Sequence, residues 1–346
     1  MKLLTSALVG TGGIADWLHV PIHKKLRGSE LKWVCDTNAQ VAKEFAEKWN
    51  VPNWTDRLKD VLADTAVDWV DVAVPNRFHE QVTIQSLEAG KHVLCQKPMA
   101  DSIMAAQRMI SAADKSARNL GIYMCFRGDP AFRMMKRMIA EGAFGSIISF
   151  RGKMISGNGK NLRAGQWRMD DASGALDLLG IHLIDLFAWL HSDIQWVQAY
   201  SNTLYATMKG DDVTTAIYGL KDGVTAVLET TYCSYSGPDM PIYLFEVNGT
   251  AGYASYNFDI GKLVVQLKEG YQSEMFSCKP NEVKNCTIEH ALNGGGSIAN
   301  VHQDFVDSIL RGEAFEADGQ VGMKSIHVIE ITRFAAKERR QIMVLQ

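Results

Sequence analysis

The stretch Leu3-Leu4-Thr5-Ser6-Ala7-Leu8-Val9-Gly10-Thr11-Gly12-Gly13-Ile14-Ala15 decides the fold of this 346-residue chain. The apolar run Leu3 to Val9 predicts a strand buried on both faces, and it enters a glycine turn directly, with a helix expected from there to about Leu26. Gly10-x-Gly12-x-x-Ala15 satisfies the dinucleotide-binding pattern in its proper strand-to-helix context. Gly10 permits the tight turn, Gly12 admits a pyrophosphate close to the backbone, and Ala15 keeps helix and strand near each other. The helix N-terminus then faces the phosphates, so Thr11, Gly13 and Ile14 complete the expected cofactor-binding turn.

Working outward, Leu31 to Cys35 reads as the next strand, ending at Asp36, and Asn38 to Trp49 as a helix with Val41, Phe45 and Trp49 on one face. The alternation continues through a helix near Asp56 to Ala63, a strand Val67 to Val74, a helix from His79 stopped by Gly90, and a strand around Val93. A helix capped by Asp101 and ended by Gly121 follows, then a strand Ile122 to Phe126. Strands and helices alternating at this length predict a doubly wound parallel sheet. Asp36 lies 21 residues beyond Ala15, where a carboxylate accepts hydrogen bonds from adenosine ribose hydroxyls and repels a 2′-phosphate. With Thr37-Asn38-Ala39-Gln40 beside it and no arginine, the position favours NAD over NADP; the alternative is that Asp36 merely caps the next helix.

After Gly145 the texture turns β-rich, with strands expected at Ile147 to Ile155, Ile194 to Ala206, Val213 to Leu220, Val224 to Tyr235, Ile242 to Val247 and Lys262 to Leu267. These suggest an antiparallel sheet, interrupted by a helix near Ala172 to Leu190 and followed by helices Ile298 to Leu310 and Val321 to Arg339. Two domains are expected, residues 1–123 for the dinucleotide and 124–346 for substrate and oligomerisation, joined without a linker.

Hydrophobic residues make up 47% and charged residues 22%, so the chain can build a substantial core. A formal charge of −3 and the lack of any dense lysine and arginine cluster argue against nucleic acid as a partner. No apolar run reaches the roughly 20 residues of a membrane span. Met1 to Val9 reads as a first strand and not as a signal peptide. The cysteines Cys35, Cys95, Cys125, Cys233, Cys278 and Cys286 are scattered without metal-like pairing, which predicts reduced thiols in a cytoplasm. His19 and His23, four apart on the first helix, read as helix-surface histidines with no third metal ligand evident. His302 and Asp304 read as structural, and Gly294-Gly295-Gly296 as a loop.

Gln96-Lys97-Pro98 follows the strand around Val93 and so sets a lysine at a strand's carboxyl end, where ligands of open α/β sheets bind. Together with Pro75-Asn76-x-x-His79, Trp167-Arg168 and Gly180-Ile181-His182-Leu183-Ile184-Asp185, these motifs make the chain resemble the Gfo/Idh/MocA oxidoreductases over nearly its whole length. The resemblance implies an N-terminal Rossmann domain and a C-terminal α/β domain with a large, mostly antiparallel sheet, through which homodimers or homotetramers form. It further implies sugar or cyclitol substrates. Gly10, Gly12, Ala15 and Asp36 then serve the dinucleotide, Pro75, Asn76 and His79 the nicotinamide side, and Lys97 and His182 the chemistry. Arg127, Trp167 and Arg168 are candidate substrate contacts; Lys160, Arg163 and Arg168 are either a solvated basic loop or a site for an acidic or phosphorylated sugar.

Two departures from the family pattern stand out. Gln96 replaces the usual glutamate beside the lysine. The usual aspartate four residues before the histidine is Leu178, with Asp177 one position earlier, and on a regular helix Asp177 would lie about 140° from His182. An irregular first turn would still let Asp177 reach the pocket. A secondary alcohol gives up hydride only as its hydroxyl proton leaves, so His182 is expected as general base and Lys97 as the polarising cation, with the roles exchangeable. NAD-assisted glycoside cleavage and a non-catalytic dinucleotide-binding regulator are the alternatives.

Overall fold

The computed structural model describes residues 2–162, 166, 173–235, 243–274, 276–288 and 300–345. The chain forms two compact units, Met1–Gly128 with Ala291–Ile326, and Asp129–His290 with His327–Gln346. Where the sequence suggests one boundary after residue 123, each unit is drawn from two stretches of chain, because the helix Asn300–Arg311 packs in the first unit.

In the first unit, β1 (Leu4–Val9), β2 (Ser29–Cys35), β3 (Asn53–Thr55), β4 (Trp69–Val72), β5 (His92–Cys95) and β6 (Leu120–Ile122) form one sheet in the order β3-β2-β1-β4-β5-β6. Every neighbouring pair is parallel, so all carboxyl ends emerge on one side and the strand order reverses between β1 and β4. All four residues of β4 are buried, as befits strands covered on both faces. Leu8, Val34, Phe45 and Ala46 anchor a core on one side of the sheet. The helix Ala39–Trp49 starts at Asn38, whose side chain accepts from the Gln40 and Val41 N–H groups.

Several local expectations are displaced. Val41 is exposed while Phe45 is buried, so the apolar face of that helix is narrower than its four-residue spacing suggests. Ser102, not Asp101, caps the helix Ile103–Ser116. That helix ends at Ala117 in the left-handed conformation (φ 51°), four residues before Gly121. Gly121 sits instead inside β6, where a Cβ would come within 2.9 Å of the Phe305 ring, so glycine is required for close packing. β3, three residues long with Trp54 exposed, carries no pattern that its sequence could announce.

Among the described residues the second unit is built on a nine-stranded sheet. Its strands are β7 (Ile147–Ile155), β8 (Trp196–Asn202), β9 (Val213–Gly219), β10 (Thr225–Thr231), β11 (Tyr243–Gly249), β12 (Gly252–Asn257), β13 (Lys262–Leu267), β16 (Val283–Thr287) and β17 (Ile342–Met343). The order is β16-β13-β12-β11-β7-β10-β9-β8-β17, antiparallel throughout except where β10 runs parallel to β7. A separate hairpin joins β14 (Tyr271–Gln272) to β15 (Ser277–Cys278). The helix Ile181–Leu190 lies against β7, where a Cβ on Gly152 would meet Leu183 at 2.6 Å. Phe150, Phe187, Tyr218 and Phe245 stack between helix and sheet, each fully buried, and supply roughly 2–3 kcal/mol apiece by burial. No helix among the described residues is long and apolar enough to cross a membrane.

Candidate functional site

The turn after β1 is built for close approach. Gly10 has φ +96°, and a Cβ there would strike the Ala73 carbonyl oxygen at 2.5 Å, so the loop after β1 rests directly on the end of β4. Gly12 and Gly13 are exposed, and Cβ atoms on them would meet nothing within 4 Å. Helical conformation begins at Gly13, so its first N–H groups open onto that space. Ala15 is fully buried against the sheet. Open backbone above a helix N-terminus, at the point where strand order reverses, fits a dinucleotide pyrophosphate.

Asp36, at the carboxyl end of β2, accepts from the Thr11 N–H (3.1 Å) and Thr11 Oγ1 (2.9 Å) through one oxygen and from the Asn38 N–H (3.1 Å) through the other. Asn38, not Asp36, caps the following helix, which leaves Asp36 tied to the phosphate turn. The pairing of β2 with β3 sets Asp56 just beyond Thr55, the partner of Cys35. The Cys35 thiol is pushed up to about 12, first by burial and then by the Asp36, Asp56 and Asp60 carboxylates. This end of the sheet is therefore acidic beyond Asp36 itself.

The loops after β4 and β5 are pinned together by His79. Its Nδ1 lies 2.8 Å from the Pro98 carbonyl and its Nε2 2.9 Å from the Val74 carbonyl, so the fully buried ring ties both loops from beneath. Pro75 precedes a single turn, Asn76–Phe78, in which Asn76 is buried. Gln96 is buried and Lys97 half-buried, immediately past β5. The structure thus brings Gly10, His79, Gln96 and Lys97 to neighbouring loops on the carboxyl side of one sheet. Arg127 is buried in the turn Cys125–Gly128 of the same unit, and Thr37 is exposed.

Beneath these loops lies a polar cluster that the sequence reading missed. His19 and His23 are buried, not on the helix surface, because the first helix opens with a π turn over Ala15–His19 that lies on the sheet. Asp71 Oδ2 receives His19 Nδ1 at 2.7 Å, His23 Nε2 at 2.9 Å and His302 Nε2 at 3.1 Å, and all four side chains are inaccessible to solvent. A tetrahedral zinc with ligand bonds of about 2.0–2.1 Å spaces its ligand atoms about 3.3 Å apart, so these separations are those of hydrogen bonds. An aspartate in the middle of β4 and a histidine 231 residues away could have been paired only by knowing the fold.

Burial would raise the Asp71 carboxyl, but His19 and His302 outweigh it and hold it well below the usual range. Burial is the main cause holding His302 down to about 4, against the opposing pull of Asp71. The folded chain thus keeps His302 neutral where the unfolded chain, titrating near 6.5, takes up a proton. This contribution to stability is complete above pH 6.5 and is lost as pH falls to about 4, a change of about 3 kcal/mol at about 1.36 kcal/mol per pH unit. Thermal unfolding followed between about pH 7.5 and 4.5 is expected to show this loss, and His302→Gln to flatten it. Equal midpoints for wild type at both ends of the range would contradict a neutral buried His302.

In the second unit, His182 is buried in the first turn of the helix Ile181–Leu190. That helix is preceded by a π turn over Leu176–Gly180, in which the Ile181 N–H bonds to the Leu176 carbonyl five residues back. A π turn advances less per residue than a regular helix, so the 140° separation of a regular helix does not apply between Asp177 and His182. Leu176 folds over Gly180, where a Cβ would be only 2.7 Å from its Cδ1.

Asp177 is buried and accepts from the Gly174 N–H at 2.7 Å. Arg333 grips it through both terminal nitrogens and also reaches Asp211 at 2.7 Å. Asp211 in turn accepts from the Leu176 N–H at 2.9 Å, so two carboxylates joined by one guanidinium secure the start of the π turn. Burial pushes the Asp177 carboxyl up, with Arg333 opposing it. Leu178 is half-buried. Trp167, Arg168, Arg163 and Gly294-Gly295-Gly296 lie outside the described residues.

Comparison with known proteins matches this arrangement to one family. A model described as an oxidoreductase family with NAD-binding Rossmann fold matches residues 4–124, and one described as the GFO/IDH/MocA C-terminal domain matches residues 132–255. D-apiose dehydrogenase of Paraburkholderia graminis is 24% identical, over 99% of this chain and 90% of that protein. Glucose-6-phosphate 3-dehydrogenase of Bacillus subtilis is 32% identical over 66% of this chain and 67% of that protein. A solved levoglucosan dehydrogenase, in complex with NADH and levoglucosan, superposes with a TM-score of 0.87 at 22% identity, covering 99% of both chains. The chain therefore belongs to the Gfo/Idh/MocA oxidoreductases, with an NAD-binding Rossmann domain and the family's C-terminal domain.

Proposed function

We propose that this protein is an NAD-dependent dehydrogenase that moves a hydride between nicotinamide and a secondary alcohol of a sugar or sugar derivative. The observation that carries the reading is the convergence of Gly10, His79, Gln96 and Lys97 at the carboxyl ends of β1, β4 and β5, where such sheets bind their ligands. Relatives named for apiose, levoglucosan, glucose 6-phosphate and glucosides support the substrate class. Bound NAD supplies the hydride acceptor. The exposed Gly12 and Gly13 backbone would hold the pyrophosphate, and Asp36 the adenosine ribose.

Lys97 donates to the reacting oxygen and favours the alkoxide over the alcohol. His182 removes the hydroxyl proton, and Asp177, on the π turn that leads into the helix of His182 and fixed by Arg333, orients the imidazole and stabilises its protonated form. Asp177 is thus a positioning residue in place of the aspartate usual at position 178.

The test is a panel of neutral sugars, sugar phosphates, glycosides and cyclitols with NAD or NADP. NADH formation from a sugar is expected, at about a hundredfold preference in kcat/KM for NAD, or about 2.7 kcal/mol. Asp36→Ala is expected to shrink that preference to roughly tenfold and not abolish it, since Asp56 still opposes a 2′-phosphate. Free sugar released from a glycoside without net NADH would point to NAD-assisted glycoside cleavage instead, and cofactor binding without turnover of any substrate to a regulator.

A further inference from the structure

We propose that the buried chain Asp71–His19–Gln96 is a positioning relay for Lys97, in which His19 dictates that residue 96 be an amide donor. The proposal deepens the dehydrogenase reading and rests on its assignment of Lys97. The geometry is specific: Gln96 Nε2 lies 2.6 Å from His19 Nε2, and Gln96 Oε1 accepts the Lys97 backbone N–H at 3.2 Å. His19 Nδ1 lies 2.7 Å from Asp71 Oδ2, and neither ring nor carboxylate touches solvent.

Donor and acceptor counting fixes the direction of the bonds that run from Asp71 through His19 to Gln96. Asp71 as an anion offers only lone pairs, so each imidazole nitrogen facing it carries a hydrogen. A neutral His19 protonated at Nδ1 has a bare Nε2, which must accept. Residue 96 therefore has to present an N–H there, and a glutamine that does so turns its carbonyl oxygen to the Lys97 N–H. Were the amide reversed, His19 would be protonated at Nε2, and two lone pairs would meet at 2.7 Å between Nδ1 and Asp71. The other ring nitrogens agree, since His23 Nδ1 is bare to accept from Ser6 Oγ at 3.2 Å, and His302 Nδ1 meets no donor or acceptor among the described residues.

An ionised glutamate at 96 carries no donor. Facing Nε2 at the same distance, it would require one further proton between the two side chains, on the imidazole or on the carboxyl itself. Glutamine brings its own N–H and needs no such proton, which explains the departure at this position in physical terms. The groups that face His19 are Asp71 from β4, His302 from the helix Asn300–Arg311, Gln96 after β5 and Tyr123 after β6, whose ring lies 5.3 Å away. Among the described residues, His23 and Cys95 are further titratable groups that face Asp71.

Side-chain NMR of histidine-labelled protein reads the first link without any activity. Wild-type His19 is expected as the Nδ1–H tautomer, and Gln96→Glu is expected to show a proton bridging residue 96 and His19 Nε2. An Nε2–H tautomer in wild type, or no proton between residue 96 and His19 Nε2 in Gln96→Glu, would overturn the relay. The link to catalysis is read by His19→Ala, Gln96→Ala and the double variant, with kcat normalised to folded enzyme. Each single variant is expected to lose about ten- to hundredfold in kcat with NAD affinity retained, and the double variant to lose no more than either. Losses that multiply, or wild-type kcat alongside lowered stability, would reduce the cluster to core packing. Failure of the dehydrogenase reading appears elsewhere, as no net NADH from any sugar of the panel, and failure of the Lys97 assignment as undiminished turnover in Lys97→Ala; neither changes the His19 spectrum.

Discussion

Lys97→Ala is expected to lower kcat for sugar oxidation by about 10²- to 10³-fold, the equivalent of about 2.7–4 kcal/mol of transition-state stabilisation. The oxygen that loses its proton becomes more negative as hydride leaves the adjoining carbon. A cation fixed at a strand end meets that charge without reorganising, whereas water would have to turn. Because Lys97 lies past β5 and not in the phosphate turn, NAD affinity is expected to stay within about threefold, so the loss falls on kcat and not on cofactor binding. Arginine at this position should not rescue, since its planar fork cannot occupy the site of a compact ammonium. Steady-state kinetics with direct measurement of NAD binding separates the cases, and turnover within a factor of two of wild type would remove Lys97 from the mechanism.

Exchanging two adjacent residues, Asp177→Leu with Leu178→Asp, restores the motif spacing usual in the family and is nonetheless expected to reduce kcat/KM by about a hundredfold. Within the π turn over Leu176–Gly180 the carboxylate held by Arg333 and the Gly174 N–H is that of Asp177, and the exchange removes it from both. Stability should fall by about 2–3 kcal/mol, less than the 3–5 typical of a fully buried pair, because Arg333 is about a third exposed and keeps Asp211. Asp177→Asn, which keeps the shape and removes the charge, should retain more stability than activity. If the exchanged protein matched wild type in kcat/KM, the anchored carboxylate of Asp177 would have no part in the reaction and the aspartate's place would be set by the motif alone.

How much of this was legible beforehand differs by residue. Gly10 and Ala15 were readable because close packing at a strand-to-helix turn excludes larger side chains, a constraint that is local and therefore written locally. The position of Lys97 was readable for the same reason, as it follows directly from a short buried strand. Gly121 was misread, since its need for glycine comes from the Phe305 and Phe315 rings nearly two hundred residues away, not from a helix end. His19 and His23 were misread as surface residues because a four-residue spacing says which residues share a face and not what that face meets. Asp177 stayed between a regular helix that turns it away and an irregular first turn that does not, because no propensity in Asp177-Leu178-Leu179-Gly180 announces a π turn.

The sequence by itself determined the family, the doubly wound first domain, the sheet-rich second domain and the NAD-binding turn, because each follows from patterns of burial and backbone freedom within one or two neighbouring elements. Only the tertiary structure decided that Asp71 gathers three histidines, that Gln96 answers to His19, and that Asp177 is locked by Arg333 and Asp211. Those are matters of charge and hydrogen-bond direction between residues distant in the chain. A buried carboxylate must find its donors wherever the fold delivers them, and sequence order carries no record of which ones arrive.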